Sequence, residues 1–185
     1  FISEELSGQR FRISAGSFFQ VNTLRAERLA QLLLEYLKPT GNEVVLDAYC
    51  GVGTFGLMLA PYMAKVIGVE AEPEALADAR HNAAGMANIK FFAGAVEDVL
   101  PTLGQHFTIA LLDPPRQGCS PQALAALLRL APPTIAYISC DPATLARDLK
   151  ALTLAGYRLE AVQPLDMFPQ TYHIESLTIL RRSSP

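Results

Sequence analysis

The clearest fold signal in the chain is the stretch Val44-Val-Leu-Asp47-Ala-Tyr-Cys-Gly51-Val-Gly53-Thr-Phe-Gly56. A short apolar run is followed by a glycine-rich turn and then by apolar residues at helical spacing, which predicts a strand, a loop and a helix. Glycines in such a loop let the backbone approach a ligand closely, and the helix N-terminus offers free N–H groups. The stretch therefore predicts a ligand site as well as an α/β unit.

The same alternation of strand and helix continues along the chain. After an irregular start, apolar residues recur at helical spacing from Leu29 to Leu37 and predict a helix, with Asn22 or Thr23 as its cap. Strands are predicted at 44–48, 66–70, 90–93, 108–113, 134–140, 159–165 and 176–181. Helices are predicted near 54–63, 73–85, 96–103, 121–131 and 142–155, with Gly156 as a stop.

The predicted order favours an α/β fold. The strands are nearly continuous apolar runs, which is typical of strands covered on both faces, so we expect a seven-stranded, mostly parallel sheet with helices on both faces. Residues 166–175 contain Pro169 and leave no room for a crossover helix, so the last strand should run antiparallel. Ligands in such Rossmann-like sheets bind at the carboxyl ends of the strands.

Composition excludes several classes of protein. Of 185 residues, 50% are hydrophobic and 18% are charged, which excludes a disordered tail, a coiled coil and a collagen-like chain. The formal net charge of −3 argues against a domain that grips nucleic acid through phosphate contacts alone, although nucleic acid remains open as a substrate. Four arginines are candidates for phosphate contacts: Arg10, Arg12, Arg116 and Arg147.

Three features of the sequence bear on location and on metals. The three cysteines have no close pair, so they indicate neither a disulfide framework nor a zinc site, and a cytoplasmic, reducing compartment fits. The uncharged stretch 48–64 is shorter than the roughly 20 residues of a membrane span and is interrupted by glycines and Pro61. The chain begins with Phe1, so we expect it to be an excised C-terminal piece of a longer protein.

Two acidic residues near the glycine-rich loop bear on the choice of cofactor. The string Gly51-x-Gly53-x-x-Gly56 also fits a dinucleotide fingerprint, and Glu70 follows where a ribose-binding acid belongs. Asp47 would repel a pyrophosphate but would favour the cationic methionine moiety of S-adenosylmethionine, which is therefore the preferred cofactor. The alternative for Asp47 is a loop cap. For Cys50 a small packed thiol is the favoured interpretation.

Three further positions fall at the same edge of the predicted sheet. Asp113, in a loop stiffened by paired prolines, suits the binding of a planar base, and a turn-capping role is equally consistent. Cys140 precedes a helix that Asp141 begins, so we expect a raised thiolate fraction and a nucleophile, against the alternative of a buried structural cysteine. Considered alone, Glu175 is predicted to be a solvated residue at the edge of a strand. Considered together with Cys140, it is predicted to be a base within reach of the nucleophile.

Five sequence blocks resemble one enzyme family. The chain is similar to the catalytic domain of the S-adenosylmethionine-dependent RNA uracil-5-methyltransferases, which form 5-methyluridine in tRNA or ribosomal RNA. The matching blocks are Ser17-Phe-Phe-Gln20-Val-Asn22, Asp47-Ala-Tyr49-Cys-Gly-Val-Gly-Thr-Phe, Asp113-Pro-Pro-Arg-Gln-Gly, Ser139-Cys140-Asp-Pro-x-Thr-x-Ala-Arg-Asp and Asp166-Met-Phe-Pro-x-Thr-x-His173-Ile-Glu175.

The resemblance implies a class I methyltransferase fold and a role for each matched residue. It makes Cys140 the nucleophile and Glu175 the proton acceptor, with a flipped uridine in RNA as the substrate. The cofactor-binding positions that it implies are Gln20, Tyr49, Gly51, Gly53, Thr54, Glu70 and Asp113, with Thr54 standing where many members have Asn.

The resemblance also implies an organisation for the chain. Residues 1–22 are a lead-in segment that contributes Gln20, and residues 23–185 are the methyltransferase domain. Family members often carry N-terminal RNA-binding and iron–sulfur regions, so such a cluster would belong to an absent N-terminal part, and no metal is expected here. With those regions absent, the chain should bind cofactor well and RNA poorly.

Three rival functions remain at this point. A cytosine-5 nucleic-acid methyltransferase uses the same thiol addition, but the motif Ser139-Cys140-Asp141-Pro142 favours the uracil group. A nicotinamide-dependent oxidoreductase fits the glycine string and leaves Cys140 and Glu175 without a role. A module that only binds RNA or a partner protein disagrees with the acidic balance and with the paired nucleophile and base.

Overall fold

The computed structural model describes residues 1–171 and 174–183. It begins with an antiparallel hairpin, β1 (Ile2–Leu6) and β2 (Gln9–Ile13), where the sequence predicts an irregular start. Ser7 and Gly8 both have positive φ, at 49° and 78°, which is the geometry of a two-residue hairpin turn. The prediction was wrong because only Leu6, Phe11 and Ile13 of this segment are buried, which leaves a weak apolar pattern.

The larger sheet confirms the predicted fold class. Within the described ranges it has seven strands in the spatial order β5-β4-β3-β6-β7-β9-β8. The first five of these are mutually parallel, and β9 is antiparallel to both neighbours, as predicted for the last strand. The strands are β3 (Val44–Ala48), β4 (Lys65–Glu70), β5 (Ile89–Ala93), β6 (Ile109–Leu112), β7 (Thr134–Ser139), β8 (Tyr157–Leu165) and β9 (Glu175–Arg182).

The helices fall where the sequence predicts them, with shorter ends. They are α1 (Thr23–Leu37), α2 (Thr54–Leu59), α3 (Pro73–Asn82), α4 (Val96–Val99), α5 (Pro121–Leu130) and α6 (Pro142–Leu154). The predicted helices 54–63 and 96–103 end in 3-10 turns at Pro61 and Pro101, because proline lacks the N–H that an α-helix requires. The side chain of Asn22 caps α1, as predicted.

The sheet lies between two apolar layers, so both of its faces are covered. Neighbouring residues of β3 belong to different layers: Val45 packs with α1 and α2, and Leu46 packs with α4 and α5. The two edge strands are exceptions, since Leu159 and Val162 of β8 are 45% and 49% exposed and Phe92 of β5 is 39% exposed. The prediction of strands covered on both faces is therefore wrong for these edge strands. No helix in the described part of the chain is long and apolar enough to cross a membrane.

The topology brings several strand ends to one edge. The chain reverses its direction of progress across the sheet between β3 and β6, which is where ligands bind in open α/β sheets. Because β9 runs antiparallel, its first residue lies at the same edge as the last residues of β3, β4, β6 and β7. Ser139 at the end of β7 is paired with Ser176 near the start of β9.

Candidate active site

A cavity of about 640 Å³ opens at this edge of the sheet, within the range typical of small-molecule sites. Its wall combines the segment before α1, the loop after β3, the ends of β4 and β6, and the β7–β9 pair. Among the polar residues of the described wall are Gln20, Asp47, Tyr49, Thr54, Glu70, Asp113, Arg116, Cys140 and Glu175. The structure thus brings together residues that are up to 155 positions apart in the chain, from Gln20 to Glu175.

The loop after β3 exposes backbone to the cavity. Tyr49, Gly51 and Gly53 have positive φ values of 64°, 54° and 87°, so the chain turns sharply between Ala48 and α2. A tyrosine in this region is uncommon and is retained where surrounding contacts hold it. Gly51 lies in the cavity wall. Gly53 is the N-cap of α2, and a Cβ there would lie 2.9 Å from the side chain of Leu57, so its place at the cofactor stays a prediction.

Glu70, at the end of β4, is held by two backbone groups. Its Oε2 accepts a hydrogen bond from Gly51 N at 2.8 Å, and its Oε1 accepts one from Glu72 N at 2.8 Å. These bonds fix the carboxylate beside the glycine-rich loop and leave further lone pairs on both oxygens. Glu70 is therefore an oriented acceptor in the wall of the cavity.

Asp47 is buried beneath the same loop. Burial raises its pKa to about 7, the negative charge of Glu70 adds to the increase, and the backbone of Gly56 opposes it. Its Oδ2 has no hydrogen-bond partner within the described residues. A Cβ at Gly56 would lie 2.5 Å from that oxygen, so the glycine is what admits the carboxyl group.

Asp113, Gln20 and Thr54 also lie at the cavity. Asp113 directly follows β6, and burial, then the charges of Glu175 and Asp47, raise its pKa well above the ordinary value. Gln20 and Thr54 are 5% and 7% exposed. Tyr49 lines the cavity too, but its hydroxyl is hydrogen bonded to the Cys119 thiol, so that its ring is the part available to a ligand.

Cys140 and Glu175 lie across the β7–β9 pair from one another. Each stands one residue beyond the paired Ser139 and Ser176, and Ser176 Oγ donates a hydrogen bond to Ser139 O at 3.3 Å. Glu175 is 4% exposed, so its interpretation as a solvated edge residue is wrong, and burial raises its pKa to about 7. A carboxyl group with that pKa is suited to exchanging protons near neutral pH.

The predicted increase in the thiolate fraction of Cys140 is wrong. Burial and the charge of Glu175 raise the pKa of the Cys140 thiol, while Arg116 lowers it in part. The N-terminus of α6 does not stabilise the Cys140 thiolate, because Asp141 Oδ1 accepts hydrogen bonds from Ala143 N and Thr144 N, each at 2.9 Å. An anionic cap therefore already occupies the free N–H groups of α6.

Some functional candidates were missed or misplaced by sequence reasoning. Phe18 and Phe168 line the cavity, and Arg116 lies beside Cys140 rather than serving only as a phosphate contact. Arg12 and Arg147 form ion pairs with Asp78 and Asp148 at 3.1 and 2.8 Å, so both have structural partners. His173 lies outside the described residues. No group of three or more metal-ligating side chains occurs within 1–171 and 174–183.

Comparison with known proteins gives consistent results. A family model described as a methyltransferase domain matches residues 39–163. A protein of Thermosynechococcus vestitus described as an uncharacterized RNA methyltransferase is 47% identical, over 99% of this chain and 41% of its own length. A protein of Halalkalibacterium halodurans with the same description is 45% identical, over 97% of this chain and 40% of its own.

A solved structure is also similar. The tRNA (uracil-54, C5)-methyltransferase of Pyrococcus abyssi, in complex with S-adenosyl-L-homocysteine, superposes with a TM-score of 0.84. It is 35% identical, and the match covers 97% of this chain and 44% of that one. The present chain therefore spans about two fifths of the length of the relatives it matches.

Proposed function

The chain belongs to the methyltransferase-domain family, and from that membership we propose that it transfers a methyl group from S-adenosylmethionine to carbon 5 of a uridine in RNA. The RNA relatives and the uracil-specific structural neighbour support the choice of substrate. The observation that carries the proposal is the cavity shared by Cys140 and Glu175, since a thiol and a proton acceptor on one base are what this chemistry needs.

The charge of the cavity fits S-adenosylmethionine. Four acidic side chains, Asp47, Glu70, Asp113 and Glu175, stand in the described wall against one basic side chain, Arg116. The cofactor carries a positive sulfonium and an ammonium group, whereas the pyrophosphate of a dinucleotide would meet repulsion there. When bound, S-adenosylmethionine supplies the transferable methyl group. This is why we set the nicotinamide-dependent oxidoreductase aside.

We assign the cofactor to the side of the cavity nearest the glycine-rich loop. Glu70 would accept hydrogen bonds from ribose hydroxyls, because Gly51 and Glu72 hold its carboxylate in place. Gln20, Tyr49 and Thr54 complete the polar wall there. In this proposal residues 1–22 contribute Gln20 and residues 23–185 form the rest of the methyltransferase domain.

Cys140 and Glu175 carry the chemistry. Carbon 5 of uracil is a poor nucleophile, so the Cys140 thiolate first adds to carbon 6, and the electron pair of the ring double bond moves towards carbonyl oxygen 4. Carbon 5 of this enolate then forms its bond to the methyl group, whose bond to the sulfonium sulfur would break and leave neutral S-adenosylhomocysteine. The Glu175 carboxylate takes the hydrogen of carbon 5 as a proton, and the electrons left behind expel the thiolate and restore the ring.

The substrate geometry follows from the shape of the site. Cys140 is half-buried in the wall of a cavity, so a base that remains stacked in a helix cannot bring carbon 6 to its sulfur. We therefore propose a flipped or loop uridine of tRNA or ribosomal RNA as the substrate. Asp113 stays assigned to the base of the cofactor. The reaction is assigned to the cytoplasm, where such RNA is modified.

Nucleoside analysis tests this function. RNA transcribed without modified nucleotides is incubated with the protein and S-adenosylmethionine, digested, and analysed by mass spectrometry. The proposal predicts 5-methyluridine with the unaltered protein and none with Cys140→Ala, although both bind S-adenosylhomocysteine in a calorimetric titration. Methylation of cytidine instead, or an unchanged yield from Cys140→Ala, would contradict it.

A further inference from the structure

Arg116 is the one basic side chain in the described wall of the cavity, and it lies on the rigid loop between β6 and α5. Building on the proposed function, we propose that Arg116 is a further catalytic residue, whose guanidinium hydrogen bonds to the Cys140 sulfur and holds the thiolate for attack. The contact joins Arg116 to a reacting atom, so the role differs from phosphate binding.

Helix α6 fixes the backbone of the Arg116 loop. Thr144 Oγ1 donates a hydrogen bond to Arg116 O at 3.0 Å, and Arg147 Nη2 donates to Gln117 O at 2.8 Å and to Cys119 O at 3.2 Å. Thr144 and Arg147 lie in the first two turns of α6, which starts two residues after Cys140. The loop that carries Arg116 is thereby tied to the segment that carries the thiol.

Asp148 completes this attachment from inside the protein. It is fully buried and accepts hydrogen bonds from Cys119 N at 2.8 Å and from the Tyr137 hydroxyl at 2.7 Å, besides its ion pair with Arg147. A buried carboxylate with this many partners resists displacement, because moving it would leave a buried negative charge without hydrogen bonds or a counter-charge. The backbone that carries the Arg116 side chain is therefore held in place relative to Cys140 by a well-anchored framework.

The charges around Cys140 explain what Arg116 contributes. On β9, Glu175 raises the pKa of the thiol, and the charge of Arg116 and its hydrogen bond lower that pKa. The charge of Glu175 also acts on Asp113, which lies near it. Arg116 contributes to the lowered pKa of Asp141, the residue that follows Cys140. His173 lies outside the described residues. Among the charged groups of the described residues, Arg116 offsets the effect of the Glu175 carboxylate on the thiol.

The proposed reaction needs two anions in one cavity. Attack requires the Cys140 thiolate, and removal of the carbon 5 proton requires the Glu175 carboxylate. Two negative charges this close disfavour one another's ionisation, so a neighbouring cation increases the fraction of protein in which both are ionised. Arg116 supplies that cation, and the thiol proton leaves to solvent before attack.

Alkylation of Cys140 tests the assignment without RNA. The full chain is treated with iodoacetamide from pH 6.5 to 10, and modification of the Cys140 peptide is followed by mass spectrometry, which separates it from the buried Cys50 and Cys119. Arg116→Gln should alkylate about tenfold more slowly at pH 7.5, because each unit by which the pKa of the thiol rises lowers the thiolate fraction by about a factor of ten. Arg116→Lys should lie between Arg116→Gln and wild type, since it retains the charge but loses the planar fork of donors.

Arg129→Gln is the matched control, because Arg129 is exposed in the last turn of α5 and should leave the alkylation profile unchanged. A wild-type pH profile in Arg116→Gln, or equal slowing in Arg129→Gln, would overturn the proposal. Alkylation does not depend on RNA or cofactor. A wild-type protein that forms no 5-methyluridine yet shows the Arg116 effect would contradict the proposed function and support this assignment.

Discussion

Cys140 and Glu175 occupy facing positions across the β7–β9 pair, each one residue beyond the hydrogen-bonded Ser139 and Ser176. The antiparallel insertion of β9 is what produces this arrangement, because it brings the first residue of one strand to the last residue of another. A thiol and a carboxyl group with a pKa of about 7 are thus held over one cavity. The proposed chemistry depends on this pair.

Glu175→Gln should arrest the reaction after methylation. The amide cannot take the proton from carbon 5, so the ring stays bonded to Cys140 and an RNA–protein adduct accumulates. A denaturing gel with labelled RNA measures it, and Glu4→Gln, an exposed change in the hairpin, should give no adduct. If Glu175→Gln turned over at the wild-type rate without an adduct, another group would be the proton acceptor.

The rate at which methylated RNA is formed and released from Cys140 should rise with pH. Burial raises the pKa of Glu175 to about 7, so its carboxylate form grows as the pH rises from 6 to 8. The pKa of Cys140 is also raised, so the thiolate fraction continues to grow towards pH 9. Single-turnover rates on one RNA between pH 6 and pH 9 measure this. A flat profile, or a fall above pH 7, would disagree with the two pKa directions.

Asp47→Asn should stabilise the protein more at pH 8 than at pH 5. Burial raises the pKa of Asp47 from an ordinary 3.8 to about 7 in the folded state. The folded protein therefore retains a proton that the unfolded chain has lost, and its stability decreases as the pH rises from about 4 through about 7. The neutral amide removes this cost.

Thermal unfolding at the two pH values measures the effect. One kcal/mol corresponds to about 2–4 °C in Tm for a chain of this size. Asp98→Asn, at an exposed position of α4, is the control and should show a smaller dependence on pH. An equal change in Tm at pH 5 and pH 8 for Asp47→Asn would mean that this carboxyl group titrates normally.

Gly118→Ala should destabilise the Arg116 loop. Gly118 has a φ of +74°, and an added Cβ would lie 2.5 Å from Asp148 Oδ2 and 2.6 Å from Arg147 Nη2. The backbone strain and the disturbed buried ion pair should together cost about 2–4 kcal/mol in unfolding free energy. Urea unfolding measures the loss.

Gly104→Ala is the matched control for that substitution. Nothing lies within 4 Å of a Cβ at Gly104, so the change should stay within about 0.5 kcal/mol. If the two variants unfolded at the same urea concentration, the framework around Asp148 would be looser than its hydrogen bonds indicate.

The sequence predicts the sheet well because its signals are local. Apolar runs mark β3, β4, β6 and β7, and the short segment before β9 excludes a helical crossover, so the antiparallel last strand follows from chain length alone. The hairpin escapes prediction because its stability depends on packing of Leu6 and Phe11 against elements that come later in the chain. Helices α2 and α4 end earlier than predicted, in 3-10 turns at Pro61 and Pro101. The prediction extended them because the apolar pattern continues past each proline.

The candidate site was also predictable only in part, and again the features set by local sequence were the predictable ones. That Cys140 and Asp113 meet at one edge follows from their positions at strand ends, and the cavity confirms that they do. The pKa of Cys140 could not be predicted from its place before α6, since Asp141 caps the helix and Glu175 approaches from β9. Arg116 was missed as a neighbour of the thiol because that contact depends on how α6 holds the loop.

Release of tritium from carbon 5 of uridine follows directly from the proposed removal of that hydrogen by Glu175. RNA labelled with tritium at that carbon is incubated with the protein and S-adenosylmethionine, and the radioactivity released to water is counted. The account predicts release by the unaltered protein, equal in amount to the methyl groups transferred, and none by Cys140→Ala. Methyl transfer without release of tritium, or release that persists in Cys140→Ala, would contradict it.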